Sequence, residues 1–109
     1  MPRQAGDVGR WSDPGVLVLS SLAGGEKHGY AIVKDVQRMA GVHLGPGTLY
    51  GALARLEEQR LIEALPALGR RRPYRITGEG ARVLDEQLRT ISAVAETGLR
   101  RLRTQGATS

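Results

Sequence analysis

The sequence predicts a mainly α-helical fold with a small β-wing and a long C-terminal helix, and three observations carry that expectation. Apolar residues recur at helical spacing in four separate stretches. Two short segments with prolines at their ends flank an arginine-rich turn, and the second alternates with period two. The last stretch repeats its apolar residues in alternating steps of three and four. A chain of 109 residues suits one compact domain with a helical extension.

Residues 1–12 mix Pro, Gly, Gln, Asp and Arg without periodicity and read as a flexible N-terminal arm. Order is expected from Asp13, an N-cap followed by Pro14 at the first helical position, with Val16, Leu17, Leu19 and Leu22 buried. Gly24 and Gly25 end this helix. A second helix is expected from about Gly29 to Ala40, burying Ile32, Val36, Met39 and Ala40 and closing at Gly41. Lys27, Lys34 and Arg38 fall roughly opposite that stripe, a positive face open to phosphate.

Gly45 and Pro46 open a third helix running to about Arg60, with Leu49, Leu53 and Leu56 buried. Its other side carries Gly47, Thr48, Gly51, Ala54 and Arg55. Each glycine there costs about 1 kcal/mol relative to alanine in a helix interior, so slimness must serve something. Leu61 to Leu65 and Pro73 to Thr77 form a two-stranded wing with Arg70, Arg71 and Arg72 at its tip. Helix, tight turn, helix and wing make residues 13–77 a winged helix-turn-helix. Thr77 caps a final helix over residues 78–105, with 106–109 as a tail. Its seam, Ala81, Leu84, Leu88, Ile91, Ala95, Gly98 and Leu102, is what a second copy of the chain would cover. Leu84, Leu88, Ile91, Ala95 and Leu102 are the dimerisation candidates.

Sixteen Lys and Arg against eleven Asp and Glu give a net charge of +5, which favours an anionic partner. No cysteine is present, so disulfides and thiolate chemistry are excluded, and the two histidines alone build no metal set. No nucleophile constellation or phosphate loop is recognisable, so neither enzymatic activity nor a cofactor is expected. No apolar stretch spans a bilayer and the first residues lack a signal-peptide core, so a soluble, cytoplasmic protein without membrane contact is expected.

The ordered motifs His28-Gly29-Tyr30, Pro46-Gly47-Thr48-Leu49-Tyr50, Leu53 with Arg55-Leu56-Glu57, Gly69-Arg70, and Thr77 with Gly80 resemble the PadR family of bacterial transcriptional regulators, in its short form. The match covers about Leu17 to Leu88. The resemblance implies a homodimer that binds double-stranded DNA at a pseudo-palindromic operator, a repressor relieved by a small-molecule effector. Three positions depart from the family pattern: Gly45 stands where the family has serine, Gly51 where it has proline, and the family has glycine near the position of Arg60.

Thr48 and Tyr50, with Gly47, lie in the first turns of the helix that would enter the major groove, and Tyr50 reads bases or else packs between helices. Arg55 meets a guanine, a phosphate or only solvent. Arg70, Arg71 and Arg72 cross the backbone or enter the minor groove. Lys34 and Arg38 are weaker phosphate candidates. The family position of Tyr30 implies a phosphate contact, although its ring would equally staple its helix to the body. His28 reads as a cap and His43 as a turn residue. Trp11 packs at the dimer junction or lines an effector cavity. With no aromatic in the last helix, a stacking pocket for flat molecules is not expected. Two other readings stand beside the regulator: a non-specific, architectural nucleic-acid-binding protein, and a module whose main activity is effector binding or pairing.

Overall fold

The computed structural model describes residues 13–108. Helix α1 (Pro14–Leu22) begins as the sequence requires: the Gly15 N–H donates to Asp13 Oδ1 at 3.1 Å, and Pro14 sits where an N–H would have no partner. Val16, Leu17, Val18, Leu19 and Leu22 are all buried, so α1 is apolar on nearly every side. Such a helix belongs at the centre. Around it pack α2 (Gly29–Ala40), through Ile32 and Val36, and α3 (Pro46–Glu58), through Leu49, Ala52, Leu53 and Leu56. Met39 departs from expectation at 48% exposure, while Ala40 beside it is half-buried against the core.

The sheet has three antiparallel strands, β1 (Lys27–His28), β2 (Ile62–Ala64) and β3 (Pro73–Ile76), in the order β1-β3-β2. Sequence reading expected a two-stranded edge hairpin, and this is corrected. Two residues are too few to show a period, so β1 left no signal. Its pairing, Lys27 with Tyr74 and His28 with Pro73, makes β3 the central strand. Pro73 is tolerated there as the first residue of its strand.

Helix α4 (Gly78–Thr108) runs three residues beyond the expected boundary. The Thr77 hydroxyl accepts the Gly80 N–H at 3.0 Å and donates to the Arg60 carbonyl at 2.8 Å, joining the start of α4 to the turn after α3. A Cβ at Gly80 would run into the Leu61 carbonyl, so only glycine lets this first turn lie so close. Leu84, expected in the pairing seam, is 4% exposed and belongs to the protomer's own core. The seam expectation is corrected there, because the first turns of α4 lie against the body, with Ile91 still packed on the core.

Candidate nucleic-acid interface

The four helices of the described residues start in two ways. Asp13 and Thr77 cap α1 and α4 with their side chains. The N-cap residues of α2 and α3, His28 and Gly45, make no side-chain capping bond. First-turn N–H groups and the positive dipole ends of these two helices are therefore left without a side-chain acceptor, an arrangement suited to phosphate.

Tyr30, in the first turn of α2, is 67% exposed, and Tyr50, on α3, is 56% exposed. A Cβ on Gly29 would stand 3.1 Å from the Tyr50 hydroxyl and 3.3 Å from Leu49 Cδ2. The bare glycine thus lets the Tyr50 ring cross the start of α2. Facing both tyrosines is the wing, whose tip turns at Gly69 with φ of 66°, the left-handed conformation a two-residue hairpin needs at its first central position. A groove of about 230 Å³ results, lined by His28, Gly29, Tyr30, Tyr50, Arg70, Arg71, Arg72 and Tyr74. Arg72 also donates from Nη1 to the Leu65 carbonyl at 2.9 Å, bracing the wing's two arms. Burial, then the negative charge of Glu57 and the neighbouring Tyr50, push the Tyr74 hydroxyl's pKa upward, with Arg72 opposing.

Of the DNA-binding candidates, the groove unites Tyr30, Tyr50 and the three arginines. It also recruits His28 and Tyr74, which sequence reasoning left out. Tyr74, on a segment whose alternation predicts a half-buried strand, packs partly against the core and also lines the groove. Thr48 and Gly47 lie exposed nearby on α3. Lys34 stands outside the groove with its Nζ 5.4 Å from the Tyr30 ring centroid, a cation–π contact that orients the ring. Arg55 lines a different cleft, with Asp13, Ala52 and Gln59 among its neighbours.

The expected positive face of α2 is smaller than the sequence suggested. Lys27 lies in β1, not on the helix, and its Nζ donates to the Ser21 carbonyl at 2.5 Å and stands 3.9 Å from Asp35. The buried Ser21 hydroxyl donates to Asp35 at 2.7 Å, and Arg38 pairs with Asp35 at 3.5 Å. Lys27 therefore braces α1 against α2.

Beyond Leu84, Leu88, Val94, Leu99 and Leu102 of α4 are 40%, 67%, 58% and 66% exposed, Ala95 is also exposed, and Ile91 is half-buried against the core. Val94 lies off the seam the sequence suggested, and Leu99 beside Gly98 is where the seam shifts if the helix rotates. Trp11 falls outside the described residues. No helix among the described residues is long and apolar enough to cross a membrane.

A core helix, a helix-turn-helix of α2 and α3, a wing of β2 and β3 and a trailing helix define a winged helix-turn-helix protein. The chain belongs to the PadR-like family of transcriptional regulators, whose family model matches residues 18–86. It is 42% identical over 86 residues to an uncharacterized 37.1 kDa protein in transposon TN4556 of Streptomyces fradiae, a match covering 79% of this chain and 25% of that protein. This chain thus spans about a quarter of that relative's length. Among solved structures, a PadR family transcriptional regulator from Eggerthella lenta is 34% identical, with a TM-score of 0.68 over 81% of this chain and 80% of that one. A PadR family transcription regulator from Clostridium difficile is 30% identical, with a TM-score of 0.65 over 79% and 97%.

Proposed function

We propose that the chain is a sequence-specific DNA-binding repressor that acts as a homodimer on a pseudo-palindromic operator and is relieved by a small-molecule effector. It acts without enzymatic activity, in the bacterial cytoplasm at the nucleoid. The observation that carries the reading is the groove in which Tyr30, Tyr50 and Arg70 to Arg72 converge beside the starts of α2 and α3. In this reading α3 enters the major groove with Gly47, Thr48 and Tyr50 foremost, and the wing lies on the flanking backbone. Two copies joined along α4 through Leu88, Ile91, Ala95 and Leu102 present two such surfaces, with half-sites about 34 Å apart. The effector would occupy the cleft at the root of α4, about 370 Å³ and lined by Asp13, Val16, Glu86, Gln87, Thr90 and Ile91.

Selection of binding sites from random duplex DNA tests this directly, followed by affinity against salt on the selected and scrambled sequences. A two-fold symmetric motif should emerge. Arg71→Ala should weaken binding to both sequences and lower the slope of log K on log salt by about 0.9, one phosphate's worth. Equal affinity for selected and scrambled duplex would favour a non-specific architectural protein instead.

A further inference from the structure

Every side chain assigned above to DNA is polar or aromatic, apart from the bare backbone of Gly47. The wing also has an apolar arm: Pro66, Ala67 and Leu68 are exposed, and Leu68 at the tip is 71% exposed. An isolated exposed leucine is ordinary. This one is held in a defined direction. The Leu68 N–H donates to the Arg71 carbonyl at 2.7 Å, and the Arg71 N–H returns a bond to the Leu68 carbonyl at 3.1 Å. Residues paired this way project from the same face of a hairpin. Leu68 thus stands at the wing tip on the same hairpin face as Arg71, beside the groove that Arg71 lines with Tyr30 and Tyr50 but outside its lining. It takes no part in the protomer's apolar core.

We infer that Leu68 is an apolar wedge for the minor groove of DNA, seated beside Arg71 so that the wing reads duplex deformability as well as charge. The inference rests on the DNA-binding reading above. A minor groove combines what the two arms offer: negative potential that draws arginine, and base steps that an apolar side chain can part. Parting is easiest at pyrimidine–purine steps, so Leu68 generates a sequence preference where no side chain hydrogen-bonds a base. The duplex bends toward the major groove, against α3.

The test uses the full chain and the duplex selected by the wild type, with donor and acceptor dyes at its ends and 2-aminopurine at the step beneath the wing. Leu68 is exposed, so Leu68→Ser and Leu68→Met should both fold. On wild-type binding the 2-aminopurine should brighten and the ends approach. Leu68→Ser should bind about tenfold or more weakly, as loss of one buried leucine contact implies, with an unchanged salt slope and neither optical change. Leu68→Met should keep both changes, and Arg71→Ala should lower the salt slope instead. If Leu68→Ser keeps wild-type affinity and bend on a duplex that Arg71→Ala binds less well, the wedge is overturned and the DNA-binding reading stands. A wild-type complex with no 2-aminopurine change at any step also overturns it. Failure of the wild type to bind any duplex overturns both.

Discussion

Replacing Gly51 by alanine separates what is good for the fold from what is good for the interface. Gly51 lies inside α3, and the only atom within 4 Å of an added Cβ is Arg55 Nη1, at 3.6 Å. That distance is ordinary contact with the movable end of a long side chain. Alanine should therefore stabilise the protomer by about 1 kcal/mol from helix propensity alone. For a domain of this size that is roughly 4–8 °C in melting midpoint, compared at one protein concentration because pairing also shifts it. Gly51 shares a helix face with Gly47, where an added Cβ would meet nothing within 4 Å of its own chain. If α3 sits in the major groove with its backbone close to the duplex, the methyl occupies space the DNA needs. Overpacking of one methyl costs about 1–3 kcal/mol, or ~5- to 150-fold in operator affinity. Thermal melts and fluorescence anisotropy on the same preparations give both numbers. A stabilised variant with wild-type operator affinity would refute close approach as the reason for this slim face.

Arg60 has a φ of 62°, a left-handed conformation in which Arg60→Gly should gain up to about 1 kcal/mol once the freer unfolded chain is counted. A loss of stability in urea titration would show that the arginine side chain matters more than its backbone. Gly29→Ala should lower the melting midpoint only modestly, since the exposed Tyr50 ring can shift while the buried Leu49 must give slightly, and should weaken DNA binding by a larger factor through the Tyr50 shift. Stability and affinity falling by the same factor would place Gly29 in packing alone. Tyr74 holds its proton more tightly when folded than its ordinary value of 10.0, so its stabilisation is complete below pH 10 and is lost as pH rises through the folded value. Urea midpoints should fall more steeply above pH 10 for wild type than for Tyr74→Phe, and parallel curves would contradict this. Leu84→Ala should cost about 2–5 kcal/mol of protomer stability, the price of a core cavity. Leu102→Glu should spare the core and raise the dimer dissociation constant in sedimentation, and an unchanged constant would remove Leu102 from the seam.

Helices were legible wherever a cap and an apolar stripe coincided. Asp13-Pro14, Gly29 to Ala40 and Pro46 each mark an observed boundary, because capping and periodicity are local properties. Long-range pairing was not legible. β1 exists only because two residues before α2 meet β3 some 45 positions later, and nothing local announces such a partner. The same pairing took Lys27 off the expected positive face and made β3 central. In the groove, the arginines and Tyr50 were legible from type and position, whereas Tyr74 and His28 arrived through tertiary placement. Leu84 was misassigned for a related reason: steps of three and four describe one face of a helix without saying what covers each part of it.

That division of α4 bears on how a signal could reach DNA in the proposed dimer. Gly80 seats the first turn against the Leu61 carbonyl, Leu84 closes the core, and Ile91 still leans on it, so the root of the helix is fixed to the body bearing Tyr50 and the wing. Between Gly80 and Gly98 the helix has neither glycine nor proline. The root and the part of the seam before Gly98, including Ile91 and Ala95, therefore move as one rigid element. At 1.5 Å per residue, Leu84 and Ala95 are about 17 Å apart, and a tilt of about 7° at the seam displaces the far end by ~2 Å. A binding surface that must meet two half-sites in register is sensitive to displacements of that size. The cleft lined by Asp13, Val16, Glu86 and Ile91 touches both α1 and α4 at this root. A molecule bound there could favour one tilt over another, but only to the extent that its affinity differs between them.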